Sequence, residues 1–329
     1  MLNFCTLFDS NYLTRGLALY YSLEKNIPLF HLYIFTFDNP SHEILINMDL
    51  KSATIISLNQ FEDSELLKIK SSRSQMEYCW TCTPSVILFV LDNYKVESCT
   101  YLDADLIFYS NPDVLLEELG EKSVLITEHR FSKEYKKYFR NGKYCVQFIT
   151  FKNNEQGRIP LKWWREQCNK WCYARNEDGK FGDQAYLNDW TTRFSMVHVL
   201  KHLGGGIAGW NVNQYNFIAN GNKICGTEKI TGNKFDVIFY HFHNFKLFNN
   251  GNIELGPRII SDQVKRLFYK PYIVKLMEIS ESIKVIKVEL NPNGISQQGY
   301  YWKTPFSFIK RKIQGTYNIF PLLSFLKKY

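Results

Sequence analysis

The stretch that decides the fold is residues 99–112, CTYLDADLIFYSNP. An apolar approach ends in two aspartates one residue apart, Asp103 and Asp105, and then runs into a Ser-Asn-Pro turn. Neighbouring carboxylates repel each other and resist desolvation unless a cation or a donor network compensates. A metal, a phosphoryl-transfer site or a capped turn each meets that requirement, so the surrounding sequence has to choose.

Upstream, apolar strands alternate with helical patterns. LNFCTLF (2–8), HLYIFTFD (31–38) and ATIISL (53–58) read as strands. LTRGLALYYSLEKN (13–26), the stretches 41–50 and 62–70, and PSVILFVLDNY (84–94) read as helices. This alternation predicts a mostly parallel central sheet covered by helices on both faces. Ligands of such sheets bind outside the carboxyl ends of the strands. Asp103 and Asp105 fall at one such end, and Asp9, in FDSNY, falls at another.

Beyond residue 112 the pattern continues without a linker. SVLITE (123–128), YCVQFITF (144–151), SMVHVL (195–200) and FDVIFYHFH (235–243) read as strands. PDVLLEELG (112–120) and the amphipathic IPLKWWREQCNKWCYAR (159–175) read as helices, and HRFSKEYKKYFRNGK (129–143) as a charged, aromatic loop or helix. One α/β domain with a mixed sheet is expected over residues 1–258, with a first half to residue 110 and a second half from 111. Residues 259–329 read as a helical, basic C-terminal extension.

The chain has 329 residues, 45% of them hydrophobic and 16% aromatic, which makes a large packed core and argues against disorder. Its net charge of +8 suits an anionic partner. No apolar run of about 18 residues exists, and the N-terminus carries no signal-peptide pattern. Eight cysteines include Cys79, Cys82, Cys168 and Cys172, from which a four-thiolate zinc site can be written. Core packing is the stronger reading: Cys168 shares a helical stripe with Trp164 and Trp171, while Cys79 and Cys82 precede a helix start at Thr83-Pro84. Reduced thiols in a cytoplasmic protein follow.

A divalent ion on the aspartate pair needs a further ligand, often an imidazole. His241 and His243 end an apolar strand, with Lys246 just beyond to grip a phosphate. A phosphatase using Asp-x-Asp as nucleophile and acid is the other enzyme reading. It fits less well, because LIFYSNP follows the pair and the motif comes after three strand-helix units.

YLDADLIFYSNP, taken with FGDQAYLNDW (181–190) and YHFHNFK (240–246), resembles the GT-A glycosyltransferases, most closely the family-8-like bacterial enzymes of surface-polysaccharide synthesis. FCTLFDSNYLTRGLALYYSL resembles the first nucleotide-binding unit of that group, and the likeness covers roughly residues 1–250. EYCWTCTPS and FKNNEQG resemble an uncharacterised bacterial subgroup.

The resemblance implies a GT-A fold and a Mn²⁺- or Mg²⁺-dependent transfer from a nucleotide-diphosphate sugar, UDP by family habit, to a glycan or lipid-linked glycan, with retention. Thr6, Asp9 and Tyr12 would line the nucleoside pocket. Asp103 would touch ribose and metal, Asp105 the metal, and His241 or His243 would supply the third ligand. Lys246 would hold the outer phosphate. Asp183 and Gln184 would lie beneath the donor sugar, the amide stabilising an oxocarbenium-like centre; Asp183 also reads as a helix cap. Members of the group usually carry Asn-x-Gly where this chain has Cys145 and Gln147. Gln147 is therefore expected to fill space beside the donor sugar or to contact the acceptor.

The last thirty residues mix Lys303, Lys310, Arg311, Lys312, Lys327 and Lys328 with Trp302, Phe306, Phe308 and Phe325. They read either as a segment lying on an anionic membrane at the inner face of the plasma membrane, or as a helix docked on the main domain. A sugar-nucleotide or glycan binder on an inactive scaffold remains the non-enzyme alternative. Nucleic acid is not expected as a partner, since only the tail concentrates charge.

Overall fold

A computed structural model describes residues 1–329 except 222, 288 and 300–303. Strands β1 (Leu2–Phe8), β2 (Phe30–Thr36), β3 (Ala53–Ser57), β4 (Ser98–Leu102), β5 (Leu106–Phe108), β6 (Val124–Glu128), β7 (Tyr144–Lys152) and β8 (Val197–Val199) follow along the chain. All but β5 form one sheet in the order β3-β2-β1-β4-β7-β6-β8. Within it β7 runs against both neighbours, and the other pairings are parallel. The strand order reverses between β1 and β4, so their carboxyl ends open a crevice.

Alternate residues of each strand enter different cores. Phe4, Phe8, Leu32 and Ile34 pack on one face; Cys5, Leu7, Tyr33 and Phe35 pack on the other. The helices Leu13–Asn26 and Lys270–Ile286 cover the first face, and Gln75–Asn93 and Glu155–Lys170 cover the second. Both faces of the sheet are covered, as the alternating sequence requires. Gly16 lets the first helix close onto β1: a Cβ there would lie 2.2 Å from Cε1 of Phe8.

Two helix boundaries differ from expectation. The helix expected to start at Thr83-Pro84 begins at Gln75, where Ser74 and Glu77 form a capping box: Ser74 N donates to Glu77 Oε2 at 2.9 Å. Pro84 lies inside it. The hydroxyls of Thr81 and Thr83 turn back onto the carbonyls of Glu77 and Cys79, at 2.7 and 3.3 Å. The helix expected over 159–175 runs Glu155–Lys170 under an Asn154 cap, so Cys172 lies beyond its end. Cys82, Cys168 and Cys172 are all fully buried.

After β8 come β9 (Ile207–Ala208), a meander of β10 (Tyr215–Asn220), β11 (Lys223–Glu228) and β12 (Lys234–Asp236), and then β13 (Phe239–His241). The single strand expected over 235–243 is thus divided between two sheets. Its first part pairs with β11, while β13 lies antiparallel to β5 and parallel to β9. In that register His241 stands opposite Leu106, which carries His241 to the aspartate pair.

The segment after residue 258 shares the first core: Val264, Phe268, Tyr272 and Leu276 are buried with Leu13 and Leu17. Ile319–Pro321 pairs with Asn252–Glu254, and Arg311 forms an ion pair with Glu254 at 2.7 Å. Among the described residues no helix is long and apolar enough to cross a membrane. Trp302 and Lys303 of the basic tail lie outside the described residues.

Candidate active site

At the end of β4 the backbone turns tightly. Asp103 N donates to Gln147 O at 3.0 Å, and Leu106 N returns to Asp103 O at 3.2 Å. Phe242 N donates to Asp105 O at 3.0 Å, which locks the turn against β13. The result is a compact cluster. His241 Nε2 lies 2.9 Å from Asp105 Oδ1 and 3.7 Å from Asp103 Oδ2. One ligand atom each from Asp103, Asp105 and His241 falls within 4.8 Å of the others, the one such grouping of three or more among the described residues. Two carboxylates and an imidazole suit Mn²⁺ or Mg²⁺.

Electrostatics agree with a cation site. Burial opposes charge on His241, but the Asp105 carboxylate outweighs it and holds the imidazole well above the ordinary histidine range. Asp105 is held low, its own burial overcome by the His241 charge and hydrogen bond. Asp103 is pushed up by burial, with His241 opposing and Asp105 adding. In the metal-free protein the imidazolium therefore does the work of a cation between the carboxylates. His241 Nδ1 faces Gln147 Oε1 at 2.6 Å, an acceptor that fixes which ring nitrogen carries hydrogen when the ring is neutral.

A cavity of about 340 Å³ opens from this cluster. One pole is polar: Asp103, Asp183, Gln184 and His241. Burial, with the Asp103 charge added, pushes the Asp183 carboxyl up to about 7. Its backbone carbonyl accepts from Trp164 Nε1 at 2.9 Å, which fixes its place. No side-chain cap bond joins Asp183 to the turn that follows. Gln184 Nε2 donates to Asn141 O at 2.8 Å, which leaves Oε1 as the free end of that amide.

The other pole is aromatic. His129 stacks on Phe131 at 4.5 Å, and Trp210 stands edge-on to His129 at 5.1 Å and to His241 at 5.3 Å. Burial pushes His129 down to about 3, so its ring is neutral. Tyr138 and Arg258 close this wall, the guanidinium 4.4 Å from the Tyr138 ring.

The remaining expected residues divide. Thr6 is fully buried in β1, and its hydroxyl lacks a partner. The Asp9 carboxylate accepts from Asn11 N at 3.0 Å and from Gln75, so in this state it caps a turn. Tyr12 is 43% exposed, with Arg15 4.5 Å over its ring. None of these three lines the cavity. His243 lines it but lies outside the three-residue cluster, its ring 5.4 Å from that of His241. Lys246 is exposed in the short strand Lys246–Leu247.

Gln147 differs from its expected place. Its side chain is fully buried, is not part of the cavity lining and contacts His241. The reason is the register of β13 on β5, which brings the His241 ring onto the Gln147 amide. The sequence reading missed Trp210, His129, Phe131 and Arg258. A tryptophan directly after the Gly-rich turn was a signal that only the nearby histidine strand gives meaning.

The chain is 31% identical over 259 residues to the uncharacterized protein YfnF of Bacillus subtilis (strain 168), covering 76% of this chain and 84% of YfnF. It belongs to the YfnF family. YfnD of the same organism, also uncharacterized, is 29% identical over 288 residues, covering 86% of this chain and 91% of YfnD. No family model matches the chain. Among solved structures, the YfnF-family chain is similar to galactosyltransferase LgtC in complex with donor and acceptor sugar analogues. The TM-score is 0.54 at 10% identity, over 84% of this chain and 96% of that one. An active-site variant of LgtC gives a TM-score of 0.53 at 9% identity, with the same coverage. The fold expected from the sequence, GT-A, is the fold of this YfnF relative.

Proposed function

We propose that this chain is a divalent-metal-dependent glycosyltransferase. It moves a sugar from a nucleotide-diphosphate donor, UDP-sugar by default, to a glycan acceptor of a bacterial lipopolysaccharide, capsule or related surface polysaccharide. The observation that carries the reading is the Asp103–Asp105–His241 cluster at the edge of a cavity walled by Asp183 and Gln184. Mn²⁺ or Mg²⁺ held there supplies charge neutralisation to a departing diphosphate. Asp9 and Tyr12 receive the nucleoside at the end of β1, Thr6 supports them from within the strand, and Lys246 meets the outer phosphate. Asp183 accepts from sugar hydroxyls.

Gln184, its NH₂ tied to Asn141, turns the electron-rich end of its amide toward the anomeric centre, where positive charge develops. Asp183 and Gln184, the pair that the family-8-like resemblance sets beneath the donor sugar, both line the cavity, which supports a retaining course. The site of action we infer is cytoplasmic, with peripheral contact to an anionic membrane. Phe306, Ile309 and Ile313, all exposed on the helix Thr304–Ile313 beside Lys310 and Lys312, support that contact.

The test is thermal stabilisation by UDP, GDP, CDP and dTDP, each with and without Mn²⁺, for the wild type and Asp105→Ala. One nucleotide should raise the melting point only with metal, and the variant should lose the shift. A shift without metal in both proteins supports the inactive binder instead; no shift at all removes the reading.

A further inference from the structure

The segment Lys133–Asn141 is a 3-10 helix, with three residues per turn, so side chains three apart align in stripes. One stripe is Tyr135, Tyr138 and Asn141. Tyr135 is buried, its hydroxyl accepting from Ile259 N at 2.7 Å, and Tyr138 and Asn141 line the cavity. The other two stripes hold Lys133 with Lys136, and Lys137 with Arg140; Lys143 follows just past the helix end at Gly142. These five cations are exposed, and none makes an ion pair among the described residues. With Glu134 the only acid, residues 133–143 carry a net +4, half the formal charge of the whole chain.

The charged stripes flank the one that lines the cavity, and fixed charge of one sign beside a cavity attracts ligands of the other sign and repels its own. We propose that this basic helix selects an anionic acceptor, a glycan chain bearing phosphate or carboxylate groups. The inference rests on the transferase reading and names its acceptor class.

Position argues for the acceptor over the donor nucleotide. The helix ends at Asn141, whose carbonyl holds the Gln184 amide, so it reaches the sugar end of the cavity. The nucleoside residues Asp9 and Tyr12 do not line that cavity. At its other side Arg258 stacks over Tyr135 and Tyr138, at 4.8 and 4.4 Å, and among the described residues its one side-chain hydrogen bond is to the adjacent Pro257 carbonyl. Arg258 thus adds a sixth cation, one that lines the cavity, and the aromatic wall of Phe131, Tyr138 and Trp210 offers the flat apolar surface a sugar ring packs on.

The test is calorimetric binding of three probes to the full chain: decagalacturonate, a glycerol-phosphate decamer and neutral maltodecaose. Each is titrated with UDP and Mn²⁺ present, at 50 and 300 mM NaCl. Wild type should bind both anionic probes at least about tenfold more tightly than the neutral one at low salt, with that margin shrinking several-fold at high salt. Lys136→Ser/Lys137→Ser/Arg140→Ser should remove most of the margin, and Lys136→Arg/Lys137→Arg should keep it. UDP–Mn²⁺ affinity should be unchanged in both.

Equal binding of charged and neutral probes overturns the proposal, as does a parallel loss of UDP–Mn²⁺ affinity in the serine variant. It is also overturned if that variant binds the oligomers normally and loses only its affinity for vesicles of one part phosphatidylglycerol to three of phosphatidylcholine. Failure of wild type to bind UDP–Mn²⁺ overturns the transferase reading itself, an outcome separate from these three.

Discussion

His241 Nδ1 donates to Gln147 Oε1 at 2.6 Å while Nε2 of the same ring meets Asp105, and the His241 and Gln147 side chains are both buried. An imidazole that binds a cation through Nε2 must carry its hydrogen on Nδ1, and an acceptor there orients the ring and raises its basicity. Gln147 Nε2 makes no hydrogen bond. The amide is therefore present for its oxygen.

That asymmetry gives a separable prediction. Gln147→Leu keeps the volume, removes a buried unpaired NH₂ and removes the acceptor. Thermal stability should fall modestly, because relief of the unpaired NH₂ offsets only part of the cost of leaving His241 Nδ1–H buried without an acceptor. Mn²⁺ affinity, read by electron paramagnetic resonance of free Mn²⁺ in the presence of UDP, should fall about 10- to 100-fold. Unchanged affinity would mean that His241 is not a ligand or that its orientation is set elsewhere.

Proton release tests the same cluster from the other side. Without metal His241 is held as an imidazolium by Asp105. A cation can take Nε2 only when that proton leaves, so metal binding should release close to one proton and strengthen as pH rises. The apparent Mn²⁺ affinity should therefore rise with pH, with Asp103, pushed up to about 6 by burial, adding to the proton release at the acid end. Titration calorimetry in buffers of different ionisation heat reads the proton count directly, and a count of zero excludes His241 from the metal.

Gly206 backs the cluster. Its φ is +89°, and a Cβ there would lie 2.8 Å from Thr127 Cγ2 and 3.0 Å from Gln147 Nε2. Gly206→Ala should cost about 2 kcal/mol or more of stability, read by urea unfolding, from backbone strain and overpacking together. By pushing on Gln147 it should also weaken Mn²⁺ binding. Full stability would mean that the neighbours give way more easily than the packing implies.

Much of this was legible in residues 1–110, because a strand buried on both faces writes itself as a short apolar run and its helices as longer periodic ones. Asp103 and Asp105 stood out as charges where an apolar strand ends. The difference between His241 and His243 was hidden, because period-2 alternation puts both on one face; the pairing of β13 with β5 brings His241, and not His243, into the cluster with the aspartates. Gln147 was hidden for a related reason. Its inward direction follows from the pleat, but its neighbour comes from a strand ninety-four residues away. The basic 3-10 stripe was hidden because a period of three is weak in a segment rich in lysine and tyrosine. The Ser74–Glu77 capping box, by contrast, was present in the sequence and outweighs the Thr-Pro start that was read instead.

Asp183 carries the remaining prediction. Its carboxyl sits at about 7, raised by burial first and by Asp103 second. In the unfolded chain an aspartate ionises near 4, so the folded state holds this proton more tightly. The contribution is fully present below about pH 4 and is lost as pH climbs through 7. Asp183→Asn stays neutral and lacks that dependence. In EDTA, calorimetric melting points should show the variant gaining on the wild type between pH 5 and pH 7.5 by several degrees, with no further gain above pH 8. The roughly three-unit shift caps the effect at about 4 kcal/mol. A gap that stays constant with pH would mean that Asp183 is already ionised in the fold, with a compensating donor. Its place beside Gln184 would then be that of a fixed charge under the sugar, and not of a carboxyl poised near neutrality.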